Sequence, residues 1–140
     1  MKTLTVFLLT SFIAFNALAQ EGVALKVDKP EGPDMTFAEE KYDFGDIFQG
    51  DVVEHTFKFE NTGTEPLVIS NVSVTCGCTA TDWPRKPISV GDEASITVEF
   101  NSRGKMGRQN KVISIYSNGI QPLYKVSIVT NVLPKKEGSN

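Results

Sequence analysis

Cys76-Gly77-Cys78 places both cysteines of the chain within three residues and is its sharpest chemical feature. In an extended strand such a pair points to one face about 6.6 Å apart, near the upper limit for a disulfide. A bridge therefore needs a local kink, and Gly77 is the residue that permits one. Export to an oxidising compartment would favour oxidation, and a strained bridge of this kind is easily reduced, which is the chemistry of thiol exchange. Two neighbouring thiolates also suit Cu(I) or Zn. The other soft ligands, His55 and Met106, lie on different segments, so Cys76 and Cys78 form only a weak metal pair. The plainer role is a local clip, or two small packing residues at a strand end. A clip closing so short a loop constrains the unfolded chain little.

Trp83-Pro84-Arg85-Lys86-Pro87 is the second constellation. An aromatic beside two bases in a proline-bounded loop close to the cysteines has the composition of a contact surface, with Trp83, Arg85 and Lys86 as its candidates. The competing role for Trp83 is to fold back as a cover on the core. His55, the single histidine, falls on the apolar face of its segment and has no second catalytic partner at a readable spacing. It reads as a packing residue. Adjacent acids such as Glu39-Glu40, and the pair Asp43 and Asp46, read as solvated charge on exposed strand edges. No nucleophile elbow, phosphate loop or His-Glu-x-x-His run occurs. No cofactor is implied. A net charge of −3 argues against nucleic acid as a partner.

The elements that must carry these residues repeat with period two. Val53, His55, Phe57 and Phe59 alternate with Glu54, Thr56, Lys58 and Glu60, the pattern of a half-buried strand. Ala94, Ile96, Val98 and Phe100 repeat it, as do Tyr124, Val126 and Ile128. The run Leu67 to Thr75 shifts parity near Asn71, which predicts a bulge, and Lys111 to Ser117 is a further strand. Short strands are expected near Met35 to Glu39 and Phe44 to Phe48. Thr62-Gly63, Gly91-Asp92, Arg103-Gly104 and Asn118-Gly119 supply the turns. The expectation is an all-β fold, an immunoglobulin-like antiparallel β-sandwich of about seven strands.

Four regions follow. Residues 1–19 read as a signal peptide, with Lys2, an apolar run from Val6 to Phe15 and the box Ala17-Leu18-Ala19. That run is shorter than the roughly 20 residues of a membrane span, so no integral membrane segment is expected. Gln20 follows the box where a lipoprotein has cysteine, so the product is expected to be soluble, periplasmic or secreted. Residues 20–34 read as a linker, 35–133 as the domain and 134–140 as a polar tail.

Tyr42-Asp43-Phe44-Gly45-Asp46-Ile47, Gly50, Phe57-Lys58-Phe59-Glu60-Asn61-Thr62-Gly63, Cys76-Gly77-Cys78-Thr79, Pro87-Ile88 and Phe100-Asn101 together resemble the bacterial family called domain of unknown function 1573. The resemblance runs from about Phe37 to Val132. It implies an exported Ig-like sandwich, similar to the ASH and MSP modules of protein association, with no established activity. Val90 stands where such domains often have proline, and Gln109 where an aromatic is common; both are expected in loops. The function expected is a non-catalytic binding or structural module of the envelope, with another protein or an envelope component as partner. The rival is a thiol-redox or soft-metal protein using Cys76 and Cys78.

Overall fold

Alternating apolar residues need a second apolar face to cover them, and this chain supplies it by folding into two sheets. The computed structural model describes residues 28–138. The expected signal peptide, the first part of the linker and the last two residues lie outside the described residues. The strands are β1 (Met35–Phe37), β2 (Lys41–Phe48), β3 (Val52–Asn61), β4 (Ile69–Val74), β5 (Cys78–Asp82), β6 (Glu93–Asn101), β7 (Gly107–Ser117) and β8 (Leu123–Leu133). One sheet has the order β1-β3-β6-β5, the other β2-β8-β7-β4. Among the described residues no helix is long and apolar enough to cross a membrane.

The sandwich is as expected, with two differences. An eighth strand, β5, begins at the second cysteine; its sequence Cys-Thr-Ala-Thr-Asp has no apolar alternation to announce it. One neighbouring pair, β2 with β8, is parallel, whereas an all-antiparallel sandwich was expected. Connection length constrains only strands adjacent in sequence, and these two are far apart. After Phe37 the N-terminal strand leaves β3 and crosses to the other sheet, where it runs beside β8.

Phe57, Phe59, Ile96, Val98 and Phe100 of the first sheet meet Ile113, Ile115, Val126, Ile128 and Val132 of the second, and all are buried. Each such side chain contributes about 1.5–3 kcal/mol on burial. The outward residues Glu54, Thr56, Lys58 and Glu60 are exposed, as the alternation requires. β4 shifts register between Ile69 and Asn71, where the parity break puts the bulge. Gln109 lies within β7 instead of a loop, its amide donating to Met106 O at 3.0 Å. The run Arg108 to Lys111 has no apolar residue to mark it as strand.

All four sheet edges are irregular. β1 has three residues, and β2, β4 and β5 each carry a register shift. In β2 the shift surrounds Gly45, at φ +69°, whose N–H donates to Asp43 Oδ1 at 2.8 Å. Such edges discourage pairing with another chain. At the end of the sandwich where β3 finishes, Gly32 and Pro33 are buried and belong to the packed body, not to a free linker. Gly32 N–H donates to Thr64 Oγ1, and Thr64 N–H returns a bond to Gly32 O, both at 2.8 Å.

Candidate functional site

The cysteine motif is a tight turn. Cys78 N–H donates to Thr75 O at 3.1 Å, and Gly77 holds φ at +90°, a value that the third position of such a turn reserves for glycine. A Cβ at Gly77 would also come within 3.1 Å of Lys105 Cε and 3.3 Å of Phe100 Cε2. The kink expected of Gly77 is therefore present, but it serves the crossing from β4 in one sheet to β5 in the other.

The two thiols sit in unlike surroundings and are not bonded to each other. Cys76 is exposed, with the Lys105 ammonium donating to its sulfur at 3.8 Å. Cys78 stands opposite Phe100 and packs against the core. Burial pushes its thiol up to about 11, outweighing the opposing pull of Lys111 and Lys105. A thiol held protonated is a poor nucleophile and a poor ligand, so this geometry fits packing better than exchange. Among the described residues no group of three or more His, Cys, Asp or Glu side chains could share an ion. His55 faces inward on β3 opposite Val98, and Met106 is exposed in the loop after β6, so these two helpers remain on separate segments.

His55 is held as a packing residue. Its ring stacks on Tyr42 at 3.7 Å between centroids and 10° between planes, and Phe57 meets it edge-on. Its Nε2 pairs with Glu39 Oε1 at 2.7 Å, where the N-terminal strand changes sheets.

The sequence reading set the Trp83 loop close to the cysteines, but in the structure the two do not share an end. β5 intervenes, with Cys78 level with Phe100 and Asp82 level with Thr97, so the two motifs lie at opposite ends of that strand. Trp83 is half-buried and packs on the core, as a cover would. It also carries Arg85, whose guanidinium carbon lies 3.5 Å from the ring centroid. Arg85 and Lys86 are exposed. The stack makes an aromatic and cationic ridge on the flank of the sandwich. Ile88 then rejoins the body through a bridge to Leu67.

Sequence reasoning missed the residue that organises the neighbouring end. Asn61 is fully buried; its amide donates to Glu65 O at 2.8 Å and Ile88 O at 2.9 Å, and its oxygen accepts from Gly63 N–H at 3.0 Å. Gly63 lies so close to the N-terminal segment that a Cβ there would be 2.2 Å from Gly32 O. The Asn-Thr-Gly run was visible in sequence, but only as a turn.

A family model described as a protein of unknown function (DUF1573) matches residues 35–132. The chain belongs to this family. No curated protein matches it in sequence. Among solved structures, the ASH/PapD-like domain 7 of human CEP192 has a TM-score of 0.61 at 10% identity, covering 85% of this chain and 99% of that one. A Porphyromonas gingivalis protein of unknown function reaches 0.62 at 20% identity, over 72% of this chain and 47% of that one. The secreted serine protease VesC of Vibrio cholerae reaches 0.59 at 14% identity, over 71% of this chain and 23% of the protease. The chain thus spans about a quarter of the protease and about half of the Porphyromonas protein. At such identities the likeness is one of fold, and the DUF1573 domain takes no activity from it.

Proposed function

We propose that this chain is an exported, non-catalytic Ig-like module that binds another protein or an envelope component through the ridge of Trp83, Arg85 and Lys86. The observation that carries this reading is the Arg85 guanidinium stacked on Trp83 at 3.5 Å, beside an exposed Lys86. Trp and Arg dominate binding hot spots because they offer large contact area with little ordering cost once held in place. The core holds the indole, and the indole holds the guanidinium. The irregular edges support a side-chain ridge over strand addition, which needs a longer regular edge. The pattern Lys2, Val6 to Phe15 and Ala17-Leu18-Ala19 supports export.

The test compares affinity capture from envelope extract by the natural domain, by Trp83→Ala and by Arg85→Ala. The reading expects a retained species that both variants lose while their urea unfolding midpoints show the domain still folded. Equal retention by all three, or no specific species with the natural domain, would overturn it.

A further inference from the structure

We propose that the chain associates head to tail with a second copy of itself, a cationic mouth at one end of the sandwich seating the carboxylates of the other end. This contact uses residues other than Trp83, Arg85 and Lys86 and is tested independently of the function proposed above.

The mouth is a cavity of about 710 Å³ whose rim includes Phe48, Asp51, Arg103, Lys135 and Lys136. Its walls come from the β2–β3 turn, the β6–β7 loop and the segment after β8. Ser102 fastens the first two: it is fully buried, its Oγ accepts from Gly50 N–H at 2.9 Å, and its own N–H donates to Asp51 O at 2.9 Å. Lys136 lies over the Phe48 ring at 4.3 Å, which brings the tail to the rim. Asp51, the acid in this lining, already accepts the Phe48 N–H at 2.9 Å. Among the described residues the ion pairs are Lys29–Asp34, His55–Glu39 and Arg108–Asp43. Arg103, Lys135 and Lys136 thus have no carboxylate partner there.

The far end is the complement. β3 and β6 pair from Val52 with Asn101, beside the mouth, to Glu60 with Glu93. The second pair is about 26 Å away at the ordinary strand rise. It sets two exposed carboxylates directly opposite each other, an arrangement that repels. Exposed Glu65 and Asp92 lie in the adjoining loops, and Lys58 is the base on the same face of β3. Cations from a second copy would relieve that repulsion, and carboxylates would neutralise the mouth. Two mouths would repel each other, so the contact is heterologous and leaves each pair of copies with one free end of each kind. An attraction between exposed charges is weak and screened by salt.

Sedimentation velocity on the mature chain tests this. The expected result is a mass that rises with concentration at about 0.01 M salt and returns to monomer at about 1 M, where the screening length is about 3 Å. Arg103→Glu with Lys136→Glu should remain monomeric, as should Glu60→Lys with Glu93→Lys. Mixed, the two variants should assemble, because the native mouth of one meets the native acidic end of the other and the two reversed ends are complementary as well. Monomer under all conditions, undiminished assembly of either variant, or no complex in the mixture would overturn the proposal. Binding of inorganic phosphate or anionic vesicles at the mouth without self-association would overturn it as well. If charge reversal lowers the urea midpoint, Arg103→Gln with Lys136→Gln removes the cations without adding acids and must also abolish assembly.

Discussion

Single residues set the local limits of this domain. Asn61 bonds four backbone groups from one buried side chain, and removing it leaves the buried Gly63 N–H without that partner while Ile88 O keeps only its bond from Leu67 N–H. An orphaned group costs roughly 1–3 kcal/mol, so Asn61→Ala should lower stability by that much in urea unfolding. A loss below about 0.5 kcal/mol, the size of an ordinary surface change, would contradict that role. Cys78 gives a second prediction. Because the fold favours its protonated thiol, that contribution is fully present below about 9 and is lost as pH rises through about 11. Tyr124, raised by burial and by its bond to the Asp34 carboxylate, titrates in the same direction. The natural domain should lose stability across this window, and Cys78→Ala should lose less; equal slopes would show that Cys78 is not the group responsible. Near neutral pH an alkylating agent should modify the exposed Cys76 before the half-buried Cys78, as peptide mass mapping would report.

At the scale of elements, alternation made most of the sandwich legible. The inward positions of β3, β6 and β8 can be read directly from Phe57, Phe59, Ile96, Val98, Val126 and Ile128, because one buried face per strand leaves a period of two. The parity break near Asn71 likewise marked the β4 bulge. β5 was hidden because it is an edge strand of small and polar residues, and the parallel β2–β8 pair because pairing between distant segments leaves no local trace. The same blindness separated the cysteines from Trp83: two motifs close in sequence lie at opposite ends of an unrecognised strand. Their residue types were legible, their spatial relation was not. Cross-strand pairing also yields a prediction. Glu60→Lys replaces repulsion with attraction opposite Glu93 and should raise stability by about 0.5 kcal/mol at low salt. A fall in the urea midpoint would contradict the pairing argument.

At the scale of the molecule, the sandwich positions its chemistry on the outside. The core is largely apolar and the one histidine, half-buried, is stacked and paired, while the distinctive groups stand on a flank and at the two ends. Such an arrangement suits a module that presents surfaces to partners. The measurement that tests this most directly places a photo-activated cross-linker at Lys86, beside the Trp83–Arg85 stack, and a control cross-linker at Thr56 on the outward face of β3. Both are irradiated in envelope extract. The account predicts a discrete adduct from position 86 that is lost on adding Trp83→Ala, and none from position 56. No adduct from position 86, or the same adducts from both positions, would contradict it.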